Sequence, residues 1–88
     1  MLPLNYAILK LFEDGGELDV SGVMERLEGD YRTFKAFKAK GVNESLMSAE
    51  KNGLLEESRF DLSDGDELRV FYRATEEGRA MIGRYIGA

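Results

Sequence analysis

Eighty-eight residues, 43% of them hydrophobic and 33% charged, make one small globular domain with a thin core. With no cysteine and no histidine, the chain lacks any disulfide, any thiolate metal site and the commonest general base and nucleophile, so neither enzyme chemistry nor a metal or other cofactor is expected. The net charge of −5 opposes a polyanionic partner, and no apolar run nears the roughly 20 residues that cross a bilayer, so no membrane partner is expected either.

The opening stretch Met1-Leu2-Pro3-Leu4-Asn5 has neither the basic flank nor the long apolar segment of a secretory signal, so the expected compartment is the cytoplasm. From Leu4 to about residue 14, Leu4, Ile8, Leu11 and Phe12 recur at i, i+4, i+7 and i+8, one apolar stripe of a helix. Pro3 precedes it where a missing N–H costs nothing, and Gly15-Gly16 ends it. Leu18 and Val20 alternate with acidic neighbours as a very short extended segment. Ser21 then fits the N-cap of a second helix that buries Val23, Met24 and Leu27 and closes at Gly29-Asp30.

Residues 31 to 40 read as a third helical stretch, with Phe34 and Phe37 on one side and Arg32, Lys35 and Lys38 loosely on the other. Gly41 breaks the run, and Asn43 caps a helix over 43–52 in which Val42, Leu46 and Ala49 share a stripe ahead of Gly53. One longer helix through Gly41 is the alternative, because an internal glycine costs only about 1 kcal/mol. After Gly53 the period changes to two: Phe60 and Leu62 alternate with Arg59, Asp61 and Ser63, and Leu68, Val70 and Tyr72 with Arg69, Phe71 and Arg73, on either side of Ser63-Asp64-Gly65-Asp66, a hairpin signal. Thr75 caps a last helix that has Glu76 and Glu77 in its first turn and Met81, Ile82, Tyr85 and Ile86 on its apolar side.

The segment Leu46-Met47-Ser48-Ala49-Glu50-Lys51-Asn52-Gly53-Leu54-Leu55-Glu56-Glu57 resembles the end of a recognition helix entering a first wing strand. Val70-Phe71-Tyr72-Arg73-Ala74-Thr75-Glu76-Glu77-Gly78-Arg79-Ala80 is similar to the second wing strand and the capped helix after it. In that order the two resemble the winged helix-turn-helix superfamily, especially short bacterial and archaeal regulators of the PadR and MarR kind. The resemblance implies a single α+β winged helix-turn-helix domain over residues 1–88, with three to five helices and a β-hairpin wing in its C-terminal half. It also implies a regulator of transcription that binds duplex DNA, and a homodimer made by the first and last helices. The sequence departs from the family in two places. The stretch before Asn43 is long and aromatic, and Glu56, Glu57, Asp61, Asp64, Asp66 and Glu67 make the wing acidic, with only Arg59 among them.

Charge is distributed unevenly. Residues 31 to 51 hold Arg32, Lys35, Lys38, Lys40 and Lys51 against Glu44 and Glu50, a local +3, which leaves −8 elsewhere. On the resemblance, Glu44, Ser45, Ser48, Lys51 and Asn52, with Met47 at the margin, would read base edges from the 43–52 helix. Arg32, Lys35, Lys38 and Lys40, with Arg69 and Arg73 near the hairpin's base, would contact phosphate. A solvated helix face and cross-strand ion pairs of Arg59, Arg69 and Arg73 with Glu57 and Asp61 suit the same residues without any ligand. Leu2, Tyr6, Leu9, Met81 and Tyr85 lie off the buried stripes and form the candidate dimer seam. The alternative function is an acidic winged-helix module whose wing engages a basic protein partner without binding DNA.

Overall fold

The computed structural model describes residues 2–86. Helix α1 (Leu4–Lys10) is followed by α2 (Val20–Tyr31), α3 (Ala39–Lys51), an antiparallel hairpin of β1 (Leu55–Leu62) and β2 (Leu68–Ala74), α4 (Glu76–Met81) and a π-helical turn over Ile82–Ile86. Every helix turns one stripe inward. Phe12, Ile8, Val23, Val42, Leu46, Leu55 and Ile82 are the best-buried large side chains, so one core joins the helices, the base of the hairpin and the final turn.

The first helix is shorter than its apolar spacing predicts. Pro3 caps it, with the Ala7 N–H donating to the Pro3 carbonyl at 2.9 Å, and α-helical bonding stops at Lys10. The N–H groups of Leu11, Phe12 and Glu13 then donate three residues back, a tighter winding that delivers Phe12 fully into the core. Of the predicted short strand only Leu18 pairs with another segment. It exchanges two backbone hydrogen bonds with Tyr72, of 3.0 and 2.9 Å. Val20 already belongs to α2, because Asp19 rather than Ser21 is its cap: Asp19 Oδ1 accepts from the Gly22 N–H at 2.8 Å.

The predicted helix over residues 31–40 does not form. Instead α2 continues past Gly29-Asp30 to Tyr31, one turn beyond Leu27 on the same buried stripe, where the Tyr31 hydroxyl donates to the Leu2 carbonyl. Residues 32–38 are a turn. Phe37 is buried, whereas Phe34 stays outside and tilts against Tyr31 with ring centroids 4.9 Å apart. Helix α3 then begins at Ala39 and runs through Gly41, so Asn43 is an interior residue and not a cap. Gly41 allows this because the Ala36 carbonyl oxygen rests where a Cβ would be, only 2.4 Å from that position. Gly53, at φ +79°, terminates α3 as the sequence predicts.

In the hairpin Phe60 pairs with Val70, Asp61 with Arg69 and Leu62 with Leu68, and a bulge lies between Glu57 and Arg59. Its turn runs from Ser63 to Glu67, with the Asp66 N–H donating to the Ser63 carbonyl at 2.9 Å. Asp66, and not Gly65, takes the left-handed conformation at φ 60°. Thr75 caps α4 as expected, its Oγ1 accepting from the Gly78 N–H at 2.9 Å and donating to the Gly53 carbonyl at 2.6 Å. That hydroxyl ties the end of α3 to the start of α4 and fixes the base of the wing between them.

Candidate nucleic-acid interface

Helix α3 carries three stripes one behind another. Val42, Leu46 and Ala49 are buried, and Lys40, Glu44, Met47 and Lys51, at the same i, i+4, i+7, i+11 spacing, lie about opposite them and are exposed. Gly41, Ser45, Ser48 and Asn52 lie between, lining an open groove shared with Asn5 and Ala36. Ser45 Oγ donates to Asn5 Oδ1 at 2.8 Å, which turns that hydroxyl toward α1. Among the predicted base readers, Glu44 and Lys51 therefore lie on the outward stripe, Ser48 is exposed on the flank beside it, and Ser45 and Asn52 sit on that flank toward α1. Met47 lies centrally on the outward stripe, beside Asn43, whose Nδ2 donates to its sulfur at 3.4 Å. The sequence pattern put it only at the margin, although stepping by three and four from Lys40 to Lys51 would have found it.

The turn between α2 and α3 exposes Arg32, Lys35 and Lys38, and α3 adds Lys40 in its first turn. The N-cap of α3 is Lys38, which supplies no side-chain cap, and no carboxylate stands in the first turn. Two lysines thus stand at the positive end of a helix dipole, an arrangement that disfavours the free helix and favours an anion placed there. Among the described residues, none of Arg32, Lys35, Lys38, Lys40 and Lys51 makes an ion pair.

The wing is the reverse case. Arg59 pairs with Glu17 and with Asp61 (2.9 Å), Arg69 with Asp61 (2.8 Å) and Arg73 with Glu56 (2.8 Å). The Arg59 guanidinium also lies 3.8 Å from the centre of the Phe71 ring. Ser58 and Arg59 hydrogen-bond Glu17 and hold its carboxyl below the ordinary value, and Arg69 followed by Arg59 does the same for Asp61. The two carboxylates in turn push Arg59 and Arg69 further up. Cross-strand pairing was expected with Glu57 and Asp61. Asp61 takes that part, Glu56 replaces Glu57, and Glu17 joins from the loop after α1, which strand alternation alone does not reveal. Arg69 and Arg73, candidate phosphate contacts, are therefore committed to carboxylates.

Of the candidate dimer seam, Tyr6 and Tyr85 are well exposed, Leu2 and Met81 are partly buried against the core, and Leu9 is buried within it. Leu9 is a core residue, because α1 turns Ala7, Ile8 and Leu9 inward together. Among the described residues no three acidic, histidine or cysteine side chains are placed to hold a metal ion, and no helix is long and apolar enough to cross a membrane.

No protein-family model matches the sequence, and no curated protein matches it. Solved structures share its fold, two of them PadR-type regulators. Bacillus subtilis PadR in complex with operator DNA superposes with a TM-score of 0.76 at 20% identity, over 94% of this chain and 46% of that one. A PadR-like transcriptional regulator from Bacillus cereus strain ATCC 14579 gives a TM-score of 0.69, also at 20% identity, over 92% of this chain and 75% of that one. The chain thus spans about half the length of Bacillus subtilis PadR and has the winged helix-turn-helix fold that its sequence resembles.

Proposed function

We propose that the chain is a cytoplasmic DNA-binding regulator of transcription that lays α3 in the major groove. Lys51 would reach guanine, Glu44 the cytosine amino group, Met47 a thymine methyl, and Ser48 either strand's edge. Arg32, Lys35, Lys38 and Lys40, with the uncapped start of α3, would hold the adjoining phosphates and set the register. One observation carries the reading: among the described residues, the cations of the turn and of α3's outward stripe have no carboxylate partners, while those of the wing are neutralised. The fold shared with a regulator solved on operator DNA supports it. Tyr6 and Tyr85, with the partly buried Leu2 and Met81, are the surface on which two copies would pair. Fluorescence-anisotropy titration with duplex DNA at low salt tests the proposal. Binding is expected, and Lys35→Glu with Lys38→Glu is expected to abolish it while leaving the melting transition in place.

The wing favours a second reading, a protein-interaction module without DNA binding, because Asp64, Asp66 and Glu67 cluster at an exposed tip where a phosphate would be repelled. Absence of any duplex binding at low salt, together with an isolated protein partner, would establish it.

A further inference from the structure

The two faces of the wing are unlike each other. One holds the ion-paired series of Arg59, Asp61 and Arg69 around Phe71. The other, fixed by the pairs Phe60–Val70 and Leu62–Leu68, is apolar and uncovered: Phe60 is 72% exposed, Leu62 62% and Leu68 63%. Alternation along the strands predicts an apolar face, but only its proximal part packs on the core, Tyr72 fully and Val70 partly. The distal end is a three-residue apolar strip on a hairpin tip, the kind of surface a soluble chain rarely leaves bare without a use for it.

Its surroundings select the occupant. Asp64, Asp66 and Glu67 rim the strip, and among the described residues none of them makes an ion pair. The fitting surface is therefore an apolar side chain set among unpaired cations. The same chain displays one. In the turn after α2, Phe34 is 40% exposed between Arg32 and Lys35, with Lys38 further along, and no carboxylate occurs from Tyr31 to Lys40. Two wing faces packed against each other would instead crowd six carboxylates together.

We infer that the apolar, acid-rimmed wing tip of one copy docks on the basic Phe34 turn of a second copy. The contact is heterologous, head to tail, and it propagates into open chains unless something occupies the turn. Because DNA would need the same cations, docking and DNA binding exclude one another. Docking itself requires no nucleic acid, so its failure leaves the proposed function standing.

The test uses residue-resolved NMR on two complementary variants. An isotope-labelled chain carrying Lys35→Glu and Lys38→Glu keeps its wing but loses its turn. It is titrated with unlabelled chain carrying Leu62→Ser and Leu68→Ser, which keeps the turn but loses the wing. These four side chains are exposed, and the labelled spectrum itself reports that the fold persists. The expected result is saturable shifts of the amides from Leu62 to Leu68, lost when the unlabelled partner also carries Lys35→Glu and Lys38→Glu. Unmoved wing amides up to about 1 mM partner would overturn the inference. Equal shifts with the charge-reversed partner would also overturn it, by showing that the wing face packs on some other surface.

Discussion

Three glycines to alanine separate the effect of helix propensity from that of packing. Gly29, Gly41 and Gly78 all lie in helices, where alanine is ordinarily preferred by about 1 kcal/mol. At Gly29 a new Cβ meets nothing within 4 Å, so Gly29→Ala should gain that full amount. At Gly41 the Cβ would stand 2.4 Å from the Ala36 carbonyl oxygen, and the exposed turn must retreat by about 1 Å to admit it. Overpacking of this kind costs about 1–3 kcal/mol, so after the propensity gain a net loss of about 1 kcal/mol is expected. At Gly78 the Cβ would stand 1.9 Å from the Leu54 oxygen, which is held by the Thr75 N–H at 3.1 Å and cannot withdraw as the turn can. A net loss of about 3 kcal/mol follows there, a large part of the stability of a domain this size. Urea unfolding followed by circular dichroism would read the order Gly29→Ala above wild type, then Gly41→Ala, then Gly78→Ala. On thermal melts each kcal/mol corresponds to roughly 4–8 °C. A stabilised Gly41→Ala would refute the close approach of the turn to α3, and with it the placement of Lys35 and Lys38 beside that helix.

The depressed carboxyls of Glu17 and Asp61 make the wing acid-sensitive. Their contribution is fully present above their ordinary values of 4.5 and 3.8 and is lost as pH falls through the lower values they take in the folded chain. Melts from neutral pH down to about pH 3 should therefore show Glu17→Gln less stable than wild type near neutrality, with the gap closing below pH 4.5. A gap that widens on acidification contradicts the Arg59 pairing. For the seam, sedimentation equilibrium at tens of micromolar should give a dimer that Tyr6→Ser with Tyr85→Ser dissociates, and a wild-type monomer there removes the seam.

Much of the fold was legible in the sequence because each signal had a single physical reading. Period two through Phe60, Leu62, Leu68, Val70 and Tyr72 admits only a hairpin, and Thr75 before Glu76-Glu77 admits only a helix start. The middle of the chain was less legible. Asp19 and Ser21 are equally good caps two residues apart, and the register is decided by which one lets Val23, Leu27 and Tyr31 all face the core. Phe34 and Phe37 have helical spacing, yet only Phe37 is buried. A local pattern does not record that Tyr31 already fills the adjacent place. The site was half legible. The positive window was visible as charge, but not the pairing of Arg69 and Arg73, which depends on Asp61 and Glu56 across the ladder. Nor does alternation reveal whether anything covers Phe60, Leu62 and Leu68, since exposure is a property of the whole packing.

The salt dependence of duplex DNA binding tests the central claim most directly. With Arg32, Lys35, Lys38 and Lys40 on phosphates, log K should fall with log salt at a slope of about −3.6, a loss of roughly 150-fold between about 50 and 200 mM. Lys35→Ala with Lys38→Ala should bring the slope to about −1.8, while Arg69→Ala leaves it unchanged. No association at low salt, or a slope that answers to the wing arginines instead of the turn lysines, would contradict the account.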